Sequence, residues 1–449
     1  MTKKVDLSKL ELALEPVISM NRANEDILIH EGIFFLYRKS LRIELKGRVY
    51  FSWLPELQVR FQGIAENYLD DTLKLFDGNK TVQIEIRELN FINDTQFSSL
   101  YFSGNELTVR GFINPPIIFG NKNIDIDYVR FEIANMQDIL GLPVRTKAGK
   151  ISMIRLDFSL PEFILIIDCV TDKNIASIDR NEKGGYFLTY TGSFKPNTNK
   201  YRNFETINNT LHCFTSFLYF LNGRRYPVLL QTGFKEEEII WRNYTPYITD
   251  NFKSVFSWVS TQDLTSLVEL WKNYYKLWED TSDRQCIKTV LHWYVEANST
   301  TAFVDGSIVL IQNALELLFH WIIAENYKYV NDQDAKNISA EAKISFLLSL
   351  INVIPDIPVE LVNMTKFAKA NNFINGPSVF INIRNAIVHP RKQNRDKLSI
   401  INSETRSEAL NLGLYYVEII LLKHLGYKGF YYNRCKQLYS KYRLADEME

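Results

Sequence analysis

The sequence contains few cysteines and has no net charge. The four cysteines lie far apart and form no CxxC pair, which excludes a disulfide framework and a cysteine-based zinc site. The 52 basic residues are balanced by 52 acidic residues, so no overall electrostatic field draws the chain towards nucleic acid. Any binding of nucleic acid must therefore use a local patch of charge.

Uninterrupted apolar segments of membrane-spanning length are also missing. The N-terminal stretch MTKKVDLSKLELALEPV alternates charge with leucine and lacks the apolar block of a signal peptide. The longest apolar run, within residues 307–324, is interrupted by Glu316, too early for a membrane span. We therefore expect a soluble, cytoplasmic protein with reduced cysteines and no membrane partner.

The common nucleotide-binding and hydrolase motifs are absent as well. The sequence has no Walker loop, no GxGxxG, no HExxH and no GxSxG. Asp125 and Asp127 alternate on a predicted strand and could bind a cation, but a solvated strand face accounts for them more simply. We expect no metal and no cofactor.

The first half of the chain alternates apolar and polar residues with a period of two. In LRIELKG, Leu41, Ile43 and Leu45 face one way while the charged residues between them face the other. The same period recurs at Val82/Ile84/Ile86, at Val129/Phe131/Ile133 and at Ile154/Leu156/Phe158/Leu160. This pattern is typical of antiparallel strands with one buried and one solvated face. Short strands between Asn, Gly and Pro turns favour a sandwich or an open barrel over residues 1–200.

The second half changes to a helical period. The length of 449 residues predicts two or three domains. Residues 201–260 combine a helix that ends at Gly223 with a strand-like stretch, YPVLLQTGF, and they connect to a helical bundle over residues 261–449. Helices are predicted over 263–279, 283–297, 303–326, 341–352, 358–370, 377–389, 403–425 and 433–443. The predicted fold class is thus α+β, with an antiparallel β-rich domain followed by an all-α bundle.

One stretch near the C-terminus, INIRNAIVHPRK, combines arginine, histidine and proline in a helical pattern. The preceding NGPS is typical of a helix start, and Pro390 disfavours helix in the residue before it, so the helix should end at about His389. Positions five apart on a regular helix point about 140° from each other. Because the helix ends at His389, however, the imidazole can turn back towards the guanidinium of Arg384.

Two interpretations of this R-x4-H pattern follow. It can be a surface arginine beside a histidine whose positive form is favoured by the helix C-terminal dipole. It can also be half of an active site, because Asn385 adds a polar group directly after the arginine. Among the six histidines, only His389 has an arginine five to seven residues upstream.

RNAIVHP within a helical C-terminal region resembles the R-x4-6-H signature of the HEPN superfamily, four- to five-helix bundles that are often metal-independent ribonucleases. The resemblance covers about residues 263–449, and a β-rich half joined to such a bundle is similar to the ApeA-type anti-phage defence proteins. It implies that Arg384 and His389 are catalytic and that Asn385 is the polar residue that follows the arginine. It also implies a homodimer through the helical domain, with two motifs facing each other. Its alternative is a non-catalytic bundle that binds a nucleotide, RNA or a protein.

The same residue types suit the cleavage of RNA. RNA supplies its own nucleophile, the ribose 2′-hydroxyl, so the enzyme needs a proton acceptor, a proton donor and positive charge on the phosphate. Histidine titrates near neutrality and can take either proton role, and arginine binds phosphate oxygens through two donors. We therefore expect an endoribonuclease of the abortive-infection type that cleaves cellular RNA, with an unknown trigger or partner at the β-rich domain.

Three polar residues spaced by four on the predicted helix 303–326 could support this site. Gln312, Glu316 and His320 form a polar stripe on an otherwise apolar element, and buried polar groups need partners. One hypothesis is that Glu316 holds Arg384 in place. Alternatively, these three polar residues face solvent at a groove, and this explains their polar character equally well.

Two basic segments offer contacts to RNA phosphates. Arg391 and Lys392 directly follow the motif and are predicted to contact RNA. The tail YKGFYYNRCKQLYSKYR interleaves cations such as Arg434 with tyrosines, a composition that suits RNA, although its rings could pack the last helix instead. LWKNYYKLWED, with aromatic residues at helical spacing, is predicted to be core.

Overall fold

The computed structural model of the chain describes residues 10–66, 74–76, 81–170, 181–182, 184–260, 264–299, 303–389, 392–436 and 446–448. The chain divides into two compact units. The first comprises Met1–His212 and Tyr226–Lys253, and the second comprises Cys213–Arg225 and Ser254–Glu449. Residues 201–260, predicted as a connecting segment, are therefore shared between the two units.

Six antiparallel strands in the first unit form a barrel. They are β1 (Ile27–Arg38), β2 (Leu41–Ser52), β3 (Gln58–Glu66), β4 (Val82–Ile86), β5 (Phe91–Ser103) and β6 (Glu106–Ile113). The order around the barrel is β1-β2-β3-β6-β5-β4, and the barrel is closed by pairing between β1 and β4. The predicted alternation is confirmed on β2 and β4, whose apolar residues Ile43, Leu45, Val82 and Ile84 are buried. The sequence predicts a sandwich or an open barrel, whereas this barrel is closed. The alternation of apolar residues identifies the two faces of each strand, but it does not show which two strands pair to close the barrel.

A row of glycines crosses three strands of the barrel. Gly32, Gly47 and Gly63 are register partners on β1, β2 and β3. A Cβ atom on Gly47 would lie 2.0 Å from the backbone oxygen of Gln62, so no side chain fits at this point. Glycine at such a close backbone approach allows the strands to bend sharply enough to close the barrel.

The remaining strands of the first unit form one antiparallel sheet of eight strands. They are β7 (Ile118–Gly120), β8 (Tyr128–Ala134), β9 (Leu142–Arg145), β10 (Ile151–Asp157), β11 (Phe163–Cys169), β12 (Leu188–Pro196), β13 (Val228–Lys235) and β14 (Glu238–Asn243). Their order is β7-β14-β13-β8-β12-β11-β10-β9. Val129, Phe131 and Ile133 on β8 are buried, as predicted. Helix α1 (Phe204–Asn222) follows β12 and ends directly before Gly223, as predicted.

The described residues of the second unit between 264 and 424 are mainly helical. Its helices are α2 (Leu264–Glu279), α3 (Thr281–Ser299), α4 (Phe303–Phe319), α5 (Asp332–Asn337), α6 (Ala340–Leu350), α7 (Val362–Ala370), α8 (Gly376–Val388), α9 (Lys392–Ile400) and α10 (Ser403–His424). A π-helix, His320–Asn326, continues α4. Two short strands, β15 (Phe430–Tyr431) and β16 (Asp446–Glu447), pair near the C-terminus. The predicted α+β class, with strands first and helices second, is confirmed.

Most predicted helices lie within a few residues of their expected bounds, but two helices have no counterpart in the sequence analysis. Helix α9 has only two apolar residues, Leu398 and Ile400, and so lacks an apolar stripe, and α5 has only six residues. The predicted helix 433–443 lies largely outside the described residues, and residues 434–436 form a turn. Trp271, Tyr274 and Trp278 on α2 are buried, as predicted.

One helical segment, Phe303–Asn326, is long and apolar enough to cross a membrane, with a mean hydropathy of 1.6. Of its most apolar stretch, 67% is buried within the molecule. The core helix of a soluble protein has the same character, and Ile311, Leu315 and Leu318 are buried here. The segment is consistent with a soluble protein.

Candidate functional site

Helix α8 carries the predicted motif, and its start is fixed by local hydrogen bonds. Asn375 caps the helix by accepting from the Ser378 N–H at 2.9 Å, and Ser378 Oγ accepts in return from the Asn375 N–H at 3.3 Å. Pro377 lies in the first turn, where its missing N–H is not needed. The helix ends at Val388, and His389 takes an extended backbone conformation. Both ends therefore agree with the signals in the sequence.

Asn385 connects the other two motif residues. Arg384 and Asn385 are half-buried, whereas His389 is exposed. Arg384 Nη1 donates to Asn385 Oδ1 at 3.2 Å. The His389 N–H donates to the Asn385 carbonyl at 3.1 Å. The three predicted catalytic residues thus lie together at the end of one helix.

Arg384 has hydrogen-bonding capacity that the described residues do not use. Its Nε is buried and has no hydrogen-bond partner among them. A buried polar group left without a partner costs about 1–3 kcal/mol. The buried Nε itself is closed to a ligand, but a half-buried guanidinium at a helix end can bind an anion, such as a phosphate, through N–H donors that remain accessible.

Helix α8 runs antiparallel to α10. A Cβ atom on Gly413 of α10 would lie 2.6 Å from the Phe380 ring, and one on Gly376, at the start of α8, would lie 2.2 Å from the Tyr416 hydroxyl. Moving forward along α8 therefore corresponds to moving backward along α10. The motif, which lies further along α8, is at the end of the bundle where α10 begins.

The beginning of α10 lies beside the beginning of α4. Arg406 on α10 donates from Nη1 to both carboxylate oxygens of Asp305 on α4, at 3.2 and 3.0 Å. Large apolar side chains are exposed around this end of the bundle: Phe303 at 84%, Val388 at 40% and Ile400 at 70%. A group of exposed apolar side chains beside a polar site indicates a surface for another molecule.

The predicted supporting residues form a second polar cluster, around Lys343 of α6. Gln312 Nε2 donates to Glu316 Oε2 at 3.1 Å. Lys343 Nζ donates to Glu316 Oε1 at 2.8 Å and lies 3.2 Å from Nε2 of His320. The structure does not pair Glu316 with Arg384 as hypothesised, since the carboxylate binds Lys343 and Gln312 instead.

Lys343 is the residue of this cluster that the sequence analysis missed. It is 4% exposed, whereas the Glu316 side chain is 43% exposed, so the cluster opens to solvent on one side. Burial opposes the ionisation of Glu316, but the hydrogen bond from Lys343 holds the pKa of this carboxyl below its usual value. In AEAKISFLLSL a lysine precedes an apolar run. That position signals a buried cation that needs an acidic partner, without indicating which one.

The cations predicted to contact RNA differ in their surroundings. Arg391 lies outside the described residues, and Lys392 is exposed at the start of α9. Arg434, in the basic tail, is 3% exposed and donates to Glu418 and to Asn298, both at 3.0 Å. Its charge is compensated by Glu418 inside the second unit. Arg434 is therefore a core residue and not a surface contact for RNA.

The described residues contain no group of three or more His, Cys, Asp or Glu side chains that could hold a metal ion. Asp127, considered above as a cation ligand, accepts from Arg202 at 3.3 Å and from the Glu236 N–H at 2.9 Å. Its carboxylate is thus engaged in contacts within the first unit.

Two regions of the chain match protein families. Residues 121–255 match the YopA central domain, and residues 280–444 match the YopA C-terminal domain. The chain is also similar to the SPbeta prophage-derived uncharacterized protein YopA of Bacillus subtilis (strain 168), with 26% identity over 428 residues that cover 95% of each chain. No solved structure matches the chain. The similarity to YopA therefore extends over both units.

Proposed function

We propose that the chain is a metal-independent endoribonuclease whose active site is built around Arg384 and His389 at the end of α8. The observation that carries this proposal is their arrangement at one helix end: the half-buried Arg384 guanidinium is hydrogen-bonded to the Asn385 side chain, and the exposed His389 follows where the backbone N–H of His389 donates to the Asn385 carbonyl. The resemblance of RNAIVHP to the HEPN signature supports the same assignment.

In the proposed reaction, the ribose O2′ attacks the adjacent phosphorus while the bond from phosphorus to O5′ breaks. The products are a 2′,3′-cyclic phosphate and a 5′-hydroxyl. One group removes the proton from O2′ and another gives a proton to O5′, and His389 has the chemistry for either step. The guanidinium of Arg384 balances the charge that develops on the phosphate oxygens. The scheme uses no metal ion, because the nucleophile comes from the substrate and the proton-transferring and charge-balancing groups are protein side chains.

A homodimer formed through the helical unit would supply the second proton-transferring group. One chain contributes one motif histidine, whereas the reaction moves two protons. Phe303, Val388 and Ile400 provide exposed apolar surface beside the motif, and such surface is what the core of a protein interface buries. RNA would then bind in a cleft that two motifs share, with Lys392 at its edge.

The biological role that fits this activity best is defence against phage by cleavage of cellular RNA. A β-rich unit followed by a HEPN-like bundle is similar to the ApeA-type architecture, and the printed name of the YopA relative assigns that protein to the SPbeta prophage. In this role the first unit recognises a trigger, and the second unit acts on RNA in the cytoplasm.

The proposal is tested by measuring RNA cleavage with EDTA present. His389→Ala is expected to lower the rate by about 100- to 10,000-fold, the usual contribution of a general acid or base. His292→Ala is the matched control, because His292 is also an exposed histidine of the second unit. Equal rates for the two variants, or a wild-type protein that leaves tRNA, rRNA and mRNA intact, would contradict the proposal.

A second candidate function is a non-catalytic bundle that binds a small ligand. It is favoured by a cavity of about 260 Å³ in the second unit, lined by Ile322, Leu347, Lys423 and His424 among others. Burial lowers the pKa of His424, which favours the neutral form of this imidazole. This function predicts a nucleotide-dependent rise in Tm that His424→Ala abolishes and His389→Ala leaves unchanged.

A further inference from the structure

A straight row of polar side chains crosses the eight-stranded sheet. Arg155 on β10, Asp168 on β11, Thr191 on β12 and Glu132 on β8 are register partners from strand to strand. All four are buried, with at most 5% exposure. Arg155 donates from Nε and Nη2 to the two oxygens of Asp168, at 2.9 and 2.7 Å. We call these four residues the polar row. Apolar residues in their place would often stabilise a fold at least as well.

An extended segment, residues 11–18, lies along the polar row, and we call it the N-terminal strap. At one end, Arg155 pairs with the Glu11 carboxylate and donates to the Leu12 carbonyl at 2.8 Å. The same end pairs with the edge strand β9, where the Arg145 N–H donates to the Glu11 carbonyl at 2.9 Å. The strap thus begins as an added strand and then crosses the sheet face.

The two carboxylates of the polar row accept backbone N–H groups of the strap. The Leu14 N–H donates to Asp168 Oδ2 at 2.7 Å. The N–H groups of Val17 and Ile18 both donate to Glu132 Oε1, at 2.9 and 3.3 Å. The buried carboxyl groups of this sheet face are therefore hydrogen-bonded by the strap as well as by neighbouring side chains.

Most of this recognition depends on the backbone of the strap and not on its side chains. Arg130 donates to the Glu15 carbonyl at 2.6 Å. Pro16 has no N–H, and the N–H groups that the polar row accepts come from other positions of the strap, Leu14, Val17 and Ile18. The charged side chain that the sheet does bind is that of Glu11. Backbone recognition of an extended segment is the mode by which sheets bind peptides from other proteins.

The strap buries little apolar surface. None of residues 10–19 is buried, Leu12 is 59% exposed, and Met20 is the first buried residue in the described range that begins at residue 10. Removing the strap would return Arg155 and Asp168 to water, which solvates charged groups well, and would uncover the buried apolar cluster only where Ile18 packs against it. The polar row is therefore a surface on which one extended segment can replace another at low cost.

We propose that the polar row is a docking site for an extended peptide of a partner protein, and that the strap occupies it as an internal ligand which the partner displaces. The contacts of the strap define the peptide that the site accepts. An acidic residue pairs with Arg155, and the backbone N–H groups three, six and seven residues after it donate to the carboxyl groups of Asp168 and Glu132. Proline is excluded at those three positions and tolerated at the position of Pro16. This inference does not depend on the nuclease activity.

A labelled peptide of strap sequence, LELALEPVISM, tests the site in the full chain. Leu14→Pro/Val17→Pro in the protein removes two N–H donors from the strap and leaves the polar row intact. Because the weakened strap competes less, the probe should bind this variant at least about tenfold more tightly than wild type, a difference of about 1.4 kcal/mol, measured by fluorescence anisotropy. No binding to a variant of native circular dichroism overturns the proposal.

Two further probes test the contact with Arg155. A probe with Glu11→Ala should bind about tenfold more weakly. A probe with Glu15→Ala should lose less, because Arg130 hydrogen-bonds the carbonyl of Glu15 and interacts with its carboxylate only electrostatically. Equal loss for the two probes overturns the proposed register. If the chain forms a dimer and the probe dissociates it, the strap is exchanged between two copies of the chain. The docked peptide then comes from a second copy and not from a separate partner protein.

Hydrogen exchange on the wild-type chain gives a readout that does not depend on the folding of the proline variant. Excess probe should accelerate exchange at the amides of Leu14 and Val17 and leave that of the barrel strands unchanged. Unchanged exchange at those two amides overturns the proposal.

Discussion

Arg384 Nη1 and Asn385 Oδ1 form a hydrogen bond of 3.2 Å between neighbouring residues of α8. Side chains of adjacent residues on a helix normally point in different directions, so this contact holds the guanidinium against the helix surface. The Asn385 carbonyl also accepts from the His389 N–H. The Asn385 side chain is therefore the positioning group for the Arg384 guanidinium, whereas its contact with His389 is a backbone hydrogen bond at the helix end.

Replacing Asn385 tests this positioning role. Asn385→Ala should lower kcat for RNA cleavage by about 10- to 100-fold, because a misplaced catalytic group costs rate, and should leave Tm within about 2 °C of wild type. Asn382→Ala is the matched control, since Asn382 is also half-buried on α8. An equal loss of kcat in both variants would contradict the positioning role, because it would show that any change on α8 slows the reaction.

The exposed apolar residues beside the motif are predicted to form the dimer interface. Val388→Asp/Ile400→Asp should raise the dimer Kd by at least about tenfold, because charge is costly in the centre of an interface, with a parallel loss of cleavage. Sedimentation velocity measures the first effect. Val359→Asp is the control, because Val359 is 83% exposed but lies before α7. A wild-type monomer with full activity contradicts this prediction.

The Lys343–Glu316 pair predicts unequal effects of its two partners on stability. Glu316→Leu leaves a buried ammonium without its carboxylate and should lower the free energy of unfolding by roughly 1–3 kcal/mol. Lys343→Met removes the buried charge itself and should cost less. Urea denaturation of both variants measures the difference. Glu316→Gln should retain RNA cleavage, and its inactivity would return Glu316 to the active site.

Glu132 gives the stability of the chain a predictable dependence on pH. Burial raises the pKa of this carboxyl from 4.5 to about 8, against the opposing effects of Ile18 N–H, Thr191, Val17 N–H and Arg130. Because the folded-state pKa lies above the unfolded value, the contribution of Glu132 to the free energy of unfolding falls as pH rises through this range. Glu132→Gln cannot ionise and should flatten this part of the curve of Tm against pH between pH 5 and about 8. An identical slope in both proteins contradicts the prediction.

The parts of the fold that depend on local pattern could be predicted from the sequence. The alternation of Leu41, Ile43 and Leu45 identifies β2, because a strand shows its two faces within a few residues. The closure of the barrel could not be predicted, since it depends on pairs such as Phe35 with Glu85. Any order of the same strands would satisfy the same alternation.

Part of the candidate site could likewise be predicted from the sequence, and part could not. Arg384, Asn385 and His389 are grouped by one helix, and the sequence therefore places them together. The partners of Lys343 and Arg434 lie on other elements, and a charge in the sequence does not state which distant charge it meets. For this reason the sequence shows neither that Arg434 is buried nor that Lys343 is the partner of Glu316.

The chemistry of the RNA ends tests the central claim most directly. Total RNA is incubated with wild-type protein, His389→Ala or His292→Ala in EDTA, and the new termini are identified. We predict 2′,3′-cyclic phosphate and 5′-hydroxyl ends with wild type and His292→Ala, and none with His389→Ala. Fragments with 3′-hydroxyl ends, or cyclic phosphate ends that persist in His389→Ala, would contradict the account.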